Sequence, residues 1–103
     1  MSVITVTKSN FESEIKNNPK RVLIDFWASW CGPCMHVSPL VDEVADEHPE
    51  FAVGKVNVDD EPELAREFGI VSIPTLVVME GGKVLRQSVG AVSKDKIVSF
   101  LKG

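Results

Sequence analysis

The sequence predicts an α/β fold in which a central mixed sheet of five strands is flanked by four helices. Segments with strand and helix patterns alternate along most of the chain, which is typical of parallel strands joined by helical crossovers. The last two strand segments are separated only by a short glycine turn, and such a pair forms an antiparallel hairpin. Because 103 residues can bury one core, we expect a single domain over residues 1–103.

Each strand is predicted from a run of β-branched or apolar residues that is bounded by turn residues. The predicted strands are residues 2–6, 21–27, 51–58, 75–79 and 83–89. The run at 21–27 is nearly continuous and contains one acid, Asp25, which is the pattern of a central strand buried on both faces.

The helices are predicted from their start and stop signals and from apolar residues at helical spacing. The predicted N-terminal capping residues are Ser9, Cys31, Asp60 and Ser93, and the predicted ends are near Asn18, His48, Gly69 and Leu101. At Ser9 and at Asp60 an acid three positions later, Glu12 and Glu63, supports the assignment.

Charge and hydropathy exclude several classes of function. The chain has 11 Lys and Arg against 15 Asp and Glu, a net charge of −4, whereas nucleic-acid binding requires clustered basic residues. No apolar run approaches the ~18 residues of a membrane helix, and the N-terminal residues do not resemble a secretion signal. We therefore expect no nucleic-acid or membrane partner and a cytoplasmic location.

Cys31 and Cys34 are the two cysteines of the chain. A disulfide between them closes a loop too small to stabilise the fold much, so the pair favours redox or metal chemistry. At the start of a helix, the backbone N–H groups and the helix dipole stabilise a Cys31 thiolate, the nucleophile of disulfide exchange. Cys34, one turn later, would resolve the mixed disulfide. Between them, Pro33 suits a first helical turn and Gly32 leaves room for a partner.

Two other interpretations of the cysteine pair are a structural zinc half-site and two core cysteines that adjoin by chance. The zinc interpretation lacks ligands, because His36 and His48 do not have the usual spacing and a second C-x-x-C is absent. We therefore expect no metal.

Four further residues allow a functional and a structural interpretation. Asp25 is either a buried proton acceptor behind Cys34 or a half-exposed acid at a strand end. Lys55, a lone cation in an apolar strand, either reaches solvent or pairs with Asp25. Trp30 either forms a rim for substrate or packs locally, and Pro74 lies before a strand where a cis bond is possible.

The chain resembles the thioredoxin family over essentially its whole length. The motifs that carry the resemblance are W-C-G-P-C after V-L-I-D-F-W-A, Pro39, K-V-N-V-D from Lys55, I-P-T from Ile73 and V-G-A from Val89. The resemblance implies the thioredoxin fold, Cys31 as nucleophile, Cys34 as resolving thiol and Asp25 as the buried proton acceptor. Gly32, Pro33 and Lys55 would tune the redox pair, and the Ile73–Pro74 bond would be cis. The implied substrate-docking residues are Trp30, Val58, Ile73, Pro74, Val89, Gly90 and Ala91.

The function that the resemblance implies is general protein-disulfide reduction. The chain would be a monomeric redox protein rather than a conventional enzyme, with no tightly bound cofactor. Its partners would be disulfide-containing client proteins and a thioredoxin reductase that restores the dithiol.

Three residues depart from the commonest family pattern. Met35 stands where many relatives have Lys or Arg, His36 follows it, and Ser72 replaces a frequent glycine. These differences leave the potential and the choice of partners open. Rival functions are a thiol oxidase or isomerase, which would need a more oxidising potential, and a binding module that would not need its cysteines.

Overall fold

The chain folds around a sheet with the strand order β1-β3-β2-β4-β5. The computed structural model describes residues 3–103. The strands are β1 (Val3–Thr5), β2 (Val22–Trp27), β3 (Ala52–Asn57), β4 (Thr75–Glu80) and β5 (Lys83–Val89). The helices are a π-helix (Glu12–Lys16), α1 (Gly32–Glu47), α2 (Pro62–Glu67) and α3 (Lys94–Lys102). The predicted sheet of five strands flanked by four helices is confirmed for these residues.

The sheet is mixed because strand β4 runs opposite to the other four strands. Strand β3 pairs in parallel with β1 and with β2, as helical crossovers require. Strand β4 is antiparallel to β5, as the tight hairpin around Gly81 and Gly82 requires, and it is also antiparallel to β2. Both glycines have positive φ, of 60° and 80°, a conformation that other residues rarely adopt.

Strand β2 lies at the centre of the sheet, and its first five residues are buried. Its side chains alternate between two cores, as the pleat of a strand requires. Ile24 and Phe26 pack on the face covered by the π-helix and α2, whereas Leu23 packs on the face covered by α1 and α3. The apolar run at 21–27 therefore reflects a strand covered on both sides.

Two of the four predicted helix caps are wrong. The Ser9 hydroxyl lies 3.0 Å from the Thr7 hydroxyl and caps no helix, because Asn10 and Thr7 form a local turn through their own side chains. Asp60 does not cap α2, which begins at Pro62 without a side-chain cap. The backbone N–H groups of Asp60 and Glu61 both bond to the Asn57 carbonyl instead.

Other boundaries agree with the pattern. Ser93 caps α3 by accepting a bond of 3.3 Å from the Lys96 N–H. Gly69, with a φ of 66°, ends α2, and the next N–H, of Ile70, bonds 2.9 Å to the Ala65 carbonyl. Strand β1 is shorter than the predicted segment 2–6, of which residue 2 lies outside the described residues.

Candidate active site

The cysteine pair lies where the central strand passes into the longest helix. Cys31 is the N-terminal capping residue of α1, as predicted, and its Sγ accepts a bond of 3.2 Å from the Cys34 backbone N–H. Its extended backbone, with φ −92° and ψ 109°, turns the sulfur toward the free N–H groups of the first turn. Cys31 and Cys34 form a disulfide, with their Cα atoms 5.3 Å apart.

The two sulfur-bearing residues differ in access to solvent. Cys31 is 5% exposed and Cys34 is completely buried. The intervening Gly32 and Pro33 are exposed, and a Cβ built at Gly32 would meet no atom within 4 Å. A thiol or disulfide of another protein can therefore approach the cysteine pair from the side of Cys31, over open space above Gly32.

Asp25 is a fully buried acid on β2, and neither of its carboxyl oxygens has a hydrogen-bond partner. By the alternation of the strand it faces α1, on the same side as Leu23 and two residues closer to the start of that helix. Burial raises the pKa of Asp25 to about 7, while Lys55 opposes this rise and Asp42 adds to it. The half-exposed alternative for Asp25 is thus wrong.

Lys55 is the register partner of Asp25 in the neighbouring strand β3. It neither extends into open solvent nor hydrogen-bonds to Asp25, the two alternatives that the sequence left open. Its side chain is only 15% exposed, and its ammonium lies 2.8 Å from Asp42 Oδ1 and 2.6 Å from Ser38 Oγ. Sequence reasoning missed Ser38 and Asp42. Their spacing of four positions places them on one face of α1. Only the fold shows that they contact Lys55 of strand β3.

Trp30 lies in the loop before Cys31 and is 70% exposed, which is unusual for a tryptophan. Its indole N–H donates a bond of 2.9 Å to Asp59 Oδ2, so the exposed ring is held in place from the end of β3. The packed alternative for Trp30 does not apply. Asp59 was not recognised from the sequence, since nothing in its local pattern connects it with residue 30.

Residues from three further segments surround the cysteine pair. Val58 and Ile73 pack against the buried cluster that contains both cysteines. The Ile73–Pro74 bond is cis, as predicted. The Pro74 carbonyl accepts a bond of 2.8 Å from the Gly90 N–H, which joins this segment to the end of β5.

Exposed apolar residues extend this surface. Val89 is 65% exposed, Ala91 is exposed, and Gly90 has a φ of 100° with open space where a Cβ would lie. Val71, which the sequence analysis did not include, is 96% exposed and two residues from Ile73. Of the residues that were expected to dock substrate, Val58 and Ile73 thus lie against the cysteine cluster, Pro74 bonds to Gly90, and Pro74 is buried.

The two unusual residues after Cys34 point outward from α1. Met35 is 44% exposed, and His36 is exposed as well. Both side chains therefore lie on the protein surface next to Cys34 in the chain and not in the buried cluster around the cysteines.

Neither a metal-binding cluster nor a membrane-spanning helix is found within the part of the chain that the structure describes. Among residues 3–103, no three His, Cys, Asp or Glu side chains are grouped so that they could bind a metal ion. Over the same range, no helix has both the length and the hydropathy needed to cross a membrane.

A disulfide at a helix N-terminus, with one accessible cysteine and an apolar rim, defines a thiol–disulfide oxidoreductase. The family model described as thioredoxin matches residues 2–103. The chain therefore belongs to the thioredoxin family, and its α/β architecture is the thioredoxin fold.

Several curated relatives support this membership. The chain is 49% identical over 92 residues to a thioredoxin of Chlorobaculum thiosulfatiphilum, covering 88% of this chain and 85% of the relative. It is 49% identical over 102 residues to a thioredoxin of Pyropia yezoensis, covering 98% and 95%. A bifunctional thioredoxin reductase/thioredoxin of Mycobacterium leprae is 46% identical over 99 residues, 95% of this chain and 22% of that protein. With Cys31 and Cys34 at the active-site position, the chain is a protein-disulfide reductase.

Proposed function

We propose that the chain reduces client disulfides in two exchange steps in which its two cysteines have separate roles. The Cys31 thiolate attacks one sulfur of the client disulfide, and the other client sulfur leaves as a thiolate. Cys34 then attacks Cys31 Sγ, the second client sulfur leaves, and the Cys31–Cys34 disulfide remains. The client gains two electrons and the cysteine pair loses two.

The observation that carries this assignment is the difference in burial between the two cysteines. Cys31 is the residue with some exposure, and Cys34 has none. A folded client can therefore meet Cys31 but not Cys34. The position of Cys31 at the N-terminus of the 16-residue helix α1 also favours its thiolate.

Asp25 is the proposed acceptor of the Cys34 proton. A buried thiol is a poor nucleophile until it loses its proton, and water has little access to the Cys34 thiol because Cys34 is completely buried. Asp25 is completely buried on the sheet face that α1 covers, and its pKa is raised to about 7. A carboxylate with that pKa can accept a proton near neutral pH and release it again.

The proposed client-binding surface is the apolar rim around Cys31, in which Trp30, Val89 and Ala91 are exposed, Val58, Ile73 and Gly90 are half-buried and Pro74 is buried. Its side chains supply apolar contact that does not depend on one client sequence. The Ile73 backbone can pair with an extended client segment, as in strand addition. Gly32, Pro33 and Lys55 are the proposed tuning residues of the pair.

A thioredoxin reductase is the proposed partner that restores the dithiol. The Mycobacterium leprae relative carries both names in one chain, which supports this pairing. We further propose that the chain acts as a monomer and carries electrons between this reductase and its clients in the cytoplasm.

Trapping of the mixed disulfide tests the division of roles. Cys34→Ser should accumulate a covalent complex with a disulfide-containing client such as insulin, because the second step is blocked. Cys31→Ser should form no such complex, and both variants should lose multiple-turnover reduction. A covalent complex of equal yield through Cys34 in Cys31→Ser would overturn the assignment. Retained client affinity in a variant with both serines would measure binding by the surface alone.

A further inference from the structure

The ammonium of Lys55 is held by helix α1. It donates hydrogen bonds to Ser38 Oγ at 2.6 Å and to the Ser38 carbonyl at 3.3 Å, and it forms an ion pair with Asp42 Oδ1 at 2.8 Å. Two hydrogen bonds to Ser38 and the ion pair with Asp42 thus direct the ammonium to helix α1.

Asp25 lies beside this arrangement without taking part in it. Its register partner across the β2–β3 ladder is Lys55, so both side chains leave the same face of the sheet at the same level. Nevertheless, neither carboxyl oxygen of Asp25 has a hydrogen-bond partner. The cation next to this buried acid is therefore directed to another carboxylate.

We propose that Ser38 and Asp42 are positioning residues that hold the Lys55 ammonium on helix α1 and so keep it from forming a direct ion pair with Asp25. This inference rests on the proposed function, in which Asp25 receives the Cys34 proton. A direct ion pair would lock Asp25 in its charged form and weaken it as a base. Held at Ser38 and Asp42, Lys55 moderates the effect of burial without cancelling it.

The ionisable groups around Asp25 are few and come from two elements. Strand β3 contributes Lys55, and helix α1 contributes Asp42. In the proposed second step the Cys34 thiol of α1 is a further group. The register partner of Asp25 in strand β4 is the apolar Leu76. Lys55 lowers the pKa of Asp25 and Asp42 raises it, as their charges require. A change in the position of the ammonium should therefore be visible in the titration of Asp25.

The test is a carbon-13 NMR titration of the Asp25 carboxyl in the oxidised protein, in which no cysteine titrates. Ser38→Ala is the decisive variant because it removes a neutral group. A shift then results from the lost hydroxyl and its bond to the ammonium and not from the loss of a charge. We expect Asp25 to titrate about half a pH unit lower, part of the effect of a close opposite charge. Ser38→Thr, which keeps the hydroxyl, should restore the original value.

Three other variants are titrated at Asp25 in the same way. Asp42→Asn should lower the titration point by about one pH unit, since it removes a repulsive charge and also releases Lys55. Lys55→Met should raise it. Asp46→Asn, an exposed acid one turn further along α1, is the matched control and should leave it unchanged. Equal titration points in Ser38→Ala, Asp46→Asn and the parent would overturn the positioning role.

The kinetics of the second exchange step separate this inference from the proposed function. If Asp25 accepts the Cys34 proton, the pH midpoint of that step moves in Ser38→Ala together with the NMR titration. If the titration moves and the midpoint does not, the positioning role stands and the proton-acceptor role of Asp25 is overturned.

Discussion

Asp25 and Phe26 are neighbours in strand β2 and are both completely buried, but they face opposite sides of the sheet and differ in their contacts. Phe26 faces the π-helix and α2, where its ring lies 5.2 Å from the ring of Phe68 and contributes to an apolar core. Asp25 faces α1, where its carboxyl group finds no hydrogen bond. Both faces of the strand pack in apolar cores, and the face toward α1 also holds a buried acid at a cost to stability.

A small domain can thus hold a buried reactive group beside apolar contacts that stabilise its fold. A charge without a partner is costly to bury, so it must lie in a region that other contacts already hold together. Leu23, on the same face as Asp25, packs with Val37 and Val41 of α1. The helix that carries Cys34 is therefore anchored by apolar contacts within two residues of the acid.

Replacement of Phe26 should have the largest effect on stability. Phe26→Ala removes a fully buried ring, and we expect the free energy of unfolding to fall by about 3–5 kcal/mol. The remaining folded protein should retain its second-step rate, because Phe26 faces away from the cysteines. Urea unfolding and stopped-flow kinetics measure the two quantities. Phe26→Leu is the milder control, and a large loss of rate in folded Phe26→Leu would show that the two faces are coupled.

Replacement of Asp25 should raise the free energy of unfolding instead of lowering it. The folded protein raises the pKa of Asp25 from 3.8 to about 7, so between these values it binds more protons than the unfolded chain. The stability of the parent therefore falls as pH rises through this window. Asp25→Asn should remove that loss and be more stable above pH 7, by on the order of 4 kcal/mol at most, with little such gain below the window.

The same variant should be a poorer reductase. We expect the second exchange step to slow by roughly 100-fold at neutral pH, the lower end of what a general base contributes, while the first attack is nearly unchanged. Stopped-flow measurement of each step, with unfolding curves at pH 5 and pH 8, provides the comparison. Equal slowing of both steps, or a stability gain independent of pH, would contradict the proton-acceptor role.

Gly54 offers a smaller test on the apolar face. A Cβ at this position would lie 2.6 Å from Val6 Cγ2 and 3.3 Å from Ile15 Cδ1. Gly54→Ala should therefore lower the free energy of unfolding by about 1–3 kcal/mol through overpacking. Val6→Ala in the same chain should recover part of the loss, because it removes the clashing methyl. Gly32→Ala, where a Cβ meets open space, is the control for stability, and an equal loss there would contradict the packing explanation.

Local pattern was sufficient for most elements of the fold. The apolar run of β2, the hairpin at Gly81 and Gly82 and the cap at Ser93 depend on neighbouring residues, and they were predicted correctly. The caps at Ser9 and Asp60 were not, because the chain forms local turns at Thr7–Asn10 and at Asn57–Glu61 and the helices begin after them. Capping signals identify a helix start only when no competing turn is available.

The amino-acid pattern alone is enough to identify the redox chemistry: two cysteines three positions apart at a strand-to-helix junction, and an acid within the strand before them. The contacts of Lys55 with Ser38 and Asp42, and of Trp30 with Asp59, became visible only in the folded chain. The reason is physical. Capping and strand burial are determined within a few residues, whereas the partner of a long charged side chain depends on which elements the fold brings side by side.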